Sequence, residues 1–178
     1  MEAKDKNAVS LAGEFAVLSQ LALRNLDANM TLGRTKGVDI LVSNPRNNKM
    51  YRLEVKTKLR VSDNEVAGSK IFGTTVGGWL MSRKHETRTD PLLFYCFVII
   101  WKRTKKYRFF IIPSKVVAHY VEEQHKLWRE VKRKNGDIVK DTEMRILRIG
   151  FKKEKYPLDT PSVEKYEDNW DFRIRTRP

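Results

Sequence analysis

The fold of this chain is decided by two short segments, Gly37-Val-Asp-Ile-Leu-Val42 and Tyr51-Arg-Leu-Glu-Val-Lys-Thr57. Apolar residues alternate with other residues in both segments, and this period of two predicts a pair of β-strands. The intervening Asn44-Pro-Arg-Asn-Asn48 is rich in turn-forming residues, so the two strands are predicted to form an antiparallel hairpin. Both strands also carry charged residues, which a purely structural buried strand would not have.

The charged residues of this hairpin are Asp39 on the first strand and Glu54 and Lys56 on the second. Because side chains alternate between strand faces, Glu54 and Lys56 share a face and lie roughly 6–7 Å apart along it. If the register places Asp39 beside Glu54, two carboxylates and one ammonium group converge. Close carboxylates repel unless a cation lies between them, and Mg²⁺ binds through one or two acids. The pattern therefore predicts a metal-dependent phosphodiesterase, in which the cation activates a water and Lys56 stabilises developing negative charge.

Glu14 supplies a third carboxylate from a different segment. A helix is predicted over Val9–Leu26, and within it Glu14 shares a face with Leu11 and Leu18. Glu14 should therefore point towards the sheet, where a carboxylate without a partner costs several kcal/mol. A metal ion, its water or Lys56 would be a sufficient partner. Two alternatives remain open, namely an acid at the helix edge that extends to solvent, and a hairpin edge whose charges simply face water.

The rest of the chain predicts further strands and one more long helix. The order of helix, hairpin, strands and helix favours a single α/β domain over residues 1–178, with a mixed β-sheet flanked by helices. The remaining predicted elements are a loop over 62–78, a short helix over 79–86, a buried strand over 92–102, its partner strand over 107–112, a helix over 113–134 and a strand over 145–150.

The chain is strongly basic, with 36 Lys and Arg against 22 Asp and Glu and a formal net charge of +14. Nucleic acid is the commonest partner of such a surface, because neutralising phosphates releases condensed counterions. The alternative is a generally basic protein without a nucleic-acid partner. The residues predicted to contact DNA are Arg34, Lys36, Lys58, Lys102, Arg103, Lys105 and Lys106.

Several other classes of site are not supported. Cys96 is the only cysteine, so no intrachain disulfide forms, and its apolar surroundings indicate a packing residue. The three histidines lack the spacing of zinc ligands. The chain shows no signal-peptide pattern, and its longest apolar run, 92–101, is too short to span a bilayer. We therefore expect a cytoplasmic protein.

Together these residues resemble the PD-(D/E)XK nuclease superfamily, which has the restriction-endonuclease-like fold. The matching motifs are Glu14 on the first helix, Asp39, and Glu54-Val-Lys56; Val38 stands where the superfamily motif nominally has proline. The resemblance covers the first third of the chain and is greatest to Holliday-junction resolvases and small bacterial restriction-type nucleases. It implies that Asp39, Glu54 and the carbonyl of Val55 hold Mg²⁺, for which Mn²⁺ substitutes. Lys56 would assist the water, and Glu14 would hold a second metal or a metal-bound water.

By this resemblance the chain is expected to be a Mg²⁺-dependent endodeoxyribonuclease acting on duplex or branched DNA. A non-catalytic DNA-binding module with the same fold is the first alternative, and an interaction protein unrelated to nucleic acid is the second. Nucleases of this kind often cut both strands as two-fold dimers, and the apolar side of the predicted helix over 113–134 would supply a homodimer interface.

Overall fold

The computed structural model of the chain describes residues 5–31, 37–61, 71–151 and 158–172. The chain divides into two compact units, each assembled from more than one segment. The first unit consists of Met1–Asp63, Asp90–Pro113 and Tyr166–Pro178, and the second of Asn64–Thr89 and Ser114–Lys165.

Helices and strands alternate along the chain in an order close to the predicted one. The elements are α1 (Lys6–Ala22), β1 (Asp27–Met30), β2 (Ile40–Asn44), β3 (Lys49–Arg60), β4 (Thr75–Ser82), a 3₁₀ helix (Arg83–Glu86), β5 (Leu93–Trp101), β6 (Tyr107–Pro113), α2 (Ser114–Lys134), β7 (Met144–Phe151) and α3 (Val163–Tyr166).

A five-stranded sheet forms the first unit, in the order β1-β2-β3-β5-β6. The β3–β5 pair is parallel and the other pairs are antiparallel, so the sheet is mixed. Strand β5 is buried along almost its whole length, which explains why its sequence is continuously apolar. The predicted α/β class with a mixed sheet and flanking helices is confirmed, and so is the predicted β2–β3 hairpin.

Helix α1 packs on the sheet through a face that differs from the predicted one. Its buried residues are Gly13, Val17 and Leu21, whereas Leu11 is exposed. The helix begins earlier than predicted because the side chain of Asp5 caps it, accepting a hydrogen bond from the backbone N–H of Asn7 at 2.9 Å.

The chain leaves α1 sooner than its sequence pattern predicts. Asn25 has a φ of 57°, in the left-handed region that ends helices. The sequence predicts only a helix break over residues 27–29, but these residues belong to β1, which pairs antiparallel with β2 at the edge of the sheet. The partner strand is remote from the local pattern, so the pattern alone did not reveal β1.

The second unit contains a two-stranded antiparallel sheet of β4 and β7, which α2 and the 3₁₀ helix contact. The predictions of a loop over 62–78 and a helix over 79–86 are each correct only in part, for 71–74 and 83–86 respectively. Residues 75–82 form β4, only 83–86 are helical, and 62–70 lie outside the described residues. Trp79 is buried and paired with Leu147 on β7, so it is a core residue.

The apolar side of α2 is covered within the second unit. Val117 and Val121 are buried, and the helix contacts β7 and the 3₁₀ helix. This side therefore packs against the helix's own sheet rather than standing open to a second copy, and the homodimer stays a prediction. Within the described part of the chain, no helix combines the length and apolar character needed to cross a membrane.

Charged side chains form a second set of contacts in this unit. Arg145 has a side chain only 2% exposed, and it is paired with Glu86 and with Asp141. Asp141 also makes a contact with Nε2 of buried His125 at 2.9 Å, which identifies this histidine as a packing residue. The network ties residues 141–145 to α2 and the 3₁₀ helix.

Candidate active site

Asp39 is fixed by the backbone of the neighbouring strand. The register pairs Ile40 with Leu53, and the N–H of Asp39 donates to the Leu53 carbonyl at 2.8 Å. Because the strands are antiparallel, the residue before Ile40 lies opposite the residue after Leu53, which places Asp39 beside Glu54. In addition, Oδ2 of Asp39 accepts a hydrogen bond from the backbone N–H of Val55 at 2.7 Å. The Asp39 carboxylate therefore lies against the peptide bond between Glu54 and Val55.

Thr31 supports the same segment from the other side, although nothing in its sequence context marks it. Its hydroxyl donates to the carbonyl of Val38 at 2.7 Å, and its N–H donates to the carbonyl of Asp39 at 3.0 Å. Asp39 is thus held between two backbone partners just before β2 begins, which restricts where its carboxylate can lie.

Glu54 and Lys56 form an ion pair on the face of β3 that the alternation predicted. Nζ of Lys56 lies 2.6 Å from Oε1 of Glu54, and the side chains of Lys56 and Glu54 are 33% and 3% exposed, respectively. A buried carboxylate needs a charged or hydrogen-bonding partner, and Lys56 supplies one. The Lys56 ammonium group consequently stands between a buried acid and solvent.

Glu14 reaches the same surroundings from α1. Burial raises the pKa of Glu14 above its ordinary value, and the Asp39 carboxylate raises this pKa further. Two other effects lower the pKa of Glu14, namely a hydrogen bond donated by the Ser10 hydroxyl at 3.2 Å and the positive charge of Lys56. Ser10 lies four residues before Glu14, and this helical spacing places the two side chains next to each other.

The carboxylates at this site are suited to a cation that keeps several water ligands rather than to one that is ligated entirely by protein atoms. Among the residues that the structure describes, no three or more His, Cys, Asp or Glu side chains are grouped to hold a metal ion. Glu54 is paired with Lys56, whereas Glu14 and Asp39 repel each other electrostatically. Mg²⁺ needs only one or two carboxylates and keeps several waters, and a cation would relieve that repulsion. Carboxylate oxygens are ligands that Mg²⁺ prefers, so the chemistry of these side chains is compatible with Mg²⁺.

The structure describes five of the seven predicted DNA-contacting residues. Arg34 and Lys36 lie outside the described residues. Lys58 follows Lys56 on the same face of β3, and burial, followed by the charge of Arg60, lowers its pKa.

The basic turn 102–106, which holds the other four predicted DNA-contacting residues, joins β5 to β6 beside the end of β3. The N–H of Lys102 donates to the carbonyl of Arg60 at 2.8 Å. Arg60 lies six positions beyond Glu54 on the strand, a distance of roughly 20 Å. Asp39 therefore lies beside the Glu54–Lys56 pair, Glu14 is near enough for Asp39 and Lys56 to act on it electrostatically, and the basic turn lies apart from this group.

The mixed five-stranded sheet with α1 packed against it is similar in fold to an endonuclease structure. In particular, the chain is similar to the solved structure of the bacterial homing endonuclease I-Ssp6803I, with a TM-score of 0.52 and 11% sequence identity. The similarity covers 94% of this chain and 92% of that chain, and it shows the fold. No protein-family model and no curated protein matches the sequence.

Proposed function

We propose that this protein is a Mg²⁺-dependent endodeoxyribonuclease of the PD-(D/E)XK type. The observation that carries the proposal is the hydrogen bond from the Val55 N–H to Asp39, which sets one acid beside the Glu54–Lys56 pair. The electrostatic effect of Asp39 and Lys56 on Glu14 adds a third carboxylate from a separate element. Similarity in fold to an endonuclease structure supports the same class.

Each residue has a distinct part in this proposal. Asp39, Glu54 and the Val55 carbonyl would hold Mg²⁺, which when bound polarises a phosphoryl oxygen and makes a water more acidic. Lys56 is partly exposed and would orient the attacking water or stabilise the negative charge that develops on phosphorus. Glu14 would accept a hydrogen bond from a metal-bound water or hold a second cation. Thr31 and Ser10 would keep Asp39 and Glu14 in place.

DNA is the proposed substrate because the chain carries a net charge of +14. Lys58 would extend the positive surface from Lys56 along β3. The exposed turn 102–106, roughly 20 Å further along the sheet, would contact the same polymer away from the cleaved bond. Arg34 and Lys36 adjoin Asp39 in sequence and are proposed to contact phosphates near it.

One observation favours a second function, a DNA-binding module without catalysis. Within the described part of the chain no set of three potential metal ligands is preformed, and the Glu54 carboxylate is paired with Lys56. A module of this kind would bind DNA with strong salt dependence and no response to Mg²⁺.

The deciding experiment incubates the purified protein with supercoiled plasmid and with a four-way DNA junction in Mg²⁺, Mn²⁺ or EDTA. We expect metal-dependent cleavage that is lost in Asp39→Asn and Lys56→Ala. Matched controls are Asp137→Asn and Lys132→Ala, which make the same changes in an exposed ion pair of the second unit and should keep activity. Cleavage of neither DNA by the wild type, with salt-dependent binding intact, would favour the non-catalytic module.

A further inference from the structure

Gly13 lies in the interior of α1, where glycine is less favourable than any residue except proline. The structure gives a steric reason for it. A Cβ atom added at Gly13 would lie 1.8 Å from Oγ1, 2.8 Å from Cβ and 2.9 Å from Cγ2 of Thr57. Separations this short are not tolerated, so only glycine lets α1 approach β3 this closely.

Rotation of the Thr57 side chain cannot relieve this overlap. Turning about the Cα–Cβ bond moves Oγ1 and Cγ2 but leaves the Cβ atom, which is itself too close, attached to the strand backbone. The Thr57 hydroxyl is buried and makes no hydrogen bond within the described residues, so packing alone sets its position. An alanine at Gly13 would therefore push the helix away from the strand.

This close approach lies at the level of the candidate site. Gly13 precedes Glu14 on α1, and Thr57 follows Lys56 on β3. The separation between helix and strand at this point consequently determines how near the Glu14 carboxylate comes to Lys56 and Asp39, the two charged groups that act on it.

We propose that Gly13 and Thr57 are positioning residues that hold Glu14 against Asp39 and Lys56. The consequence for catalysis rests on the proposed nuclease function, whereas the placement of Glu14 belongs to the protein without metal. The Gly13–Thr57 pair acts as a spacer: it leaves no room for a further side chain between α1 and β3.

The test is a crystal structure of the metal-free Gly13→Ala variant, compared with that of the metal-free wild type. In Gly13→Ala we expect α1 to lie further from β3 at this level, which moves the Glu14 carboxylate away from Lys56. Gly13→Ala combined with Thr57→Gly, which removes all three interfering atoms, should restore the wild-type separation. Gly78→Ala is the matched control, because a Cβ there meets only the Leu147 carbonyl oxygen at 3.7 Å.

An unchanged distance between Glu14 and Lys56 in folded Gly13→Ala would overturn the proposal. If Gly13→Ala does not fold, the double variant provides the test of the proposal. The double variant should fold under every condition in which Thr57→Gly alone folds. Its failure to fold would equally contradict the proposal. In the cleavage assay, Gly13→Ala should reduce the rate about 100-fold through misplacement of Glu14, and the double variant should regain most of it. If the wild type cleaves nothing, the nuclease proposal fails, while the structure of the variant still decides the positioning.

Discussion

Replacing Lys56 by alanine would remove the cation that is paired with the buried Glu54 carboxylate. Truncating one member of a fully buried pair costs about 3–5 kcal/mol, whereas an exposed pair contributes about 0–1 kcal/mol. Glu54 is 3% exposed and Lys56 is 33% exposed, so the pair lies between these limits. We expect Lys56→Ala to lower the free energy of unfolding by about 2–3 kcal/mol at pH 7.

Urea denaturation measures this change directly. Lys132→Ala is the matched control, because it breaks an exposed Lys–Asp pair with a similar distance of 2.9 Å and should cost about 1 kcal/mol or less. Glu54→Gln combined with Lys56→Ala removes the uncompensated charge, so the double variant should be more stable than Lys56→Ala alone.

Two results would refute this account of the pair. One is a destabilisation by Lys56→Ala no larger than that by Lys132→Ala, which would mean that Glu54 is solvated. The other is a double variant that is no more stable than Lys56→Ala, which would mean that the missing packing of the lysine stem, rather than charge, is responsible.

Three further predictions concern other groups. Because the pKa of Glu14 is raised, its ionisation opposes folding above the ordinary glutamate pKa of about 4.3. Glu14→Gln should therefore raise the urea midpoint at pH 7, and this gain in stability should vanish below about pH 4.3. Arg145→Ala should cost about 3–5 kcal/mol in urea denaturation because it strips two acids of a buried partner, whereas Arg83→Ala, at a 54% exposed side chain, should cost about 1 kcal/mol or less. Replacing the four Lys and Arg residues of the turn 102–106 by Ala should weaken duplex DNA binding. A plot of the logarithm of the binding constant against the logarithm of the salt concentration should become less steep by about 0.9 for each phosphate that the turn no longer neutralises. An unchanged slope would exclude the turn from the interface.

The candidate site follows partly from local sequence. Alternation in the two hairpin strands predicted that Glu54 and Lys56 share a face, and the pairing of Ile40 with Leu53 brings Asp39 beside them. The near-complete burial of Glu54 and the support from Thr31 were not predictable, because both depend on chain segments that are distant from the motif.

The sequence by itself determined the elements whose signals are local. The Asn- and Pro-rich turn 44–48, the apolar run of β5 and the end of α2 at Lys134 are all found where the pattern predicted them. Turn chemistry and side-chain periodicity act between near neighbours, so these elements can be read without knowing their partners.

Only the tertiary structure decided which strand partners and helix faces are used. Residues 79–82 form a strand because β7, more than 60 residues later, supplies their hydrogen bonds. Helix α1 turns Gly13 rather than Leu11 to the sheet because the missing side chain allows close approach to Thr57. Pairing and close packing join residues far apart in the chain, and a local pattern carries no information about such partners.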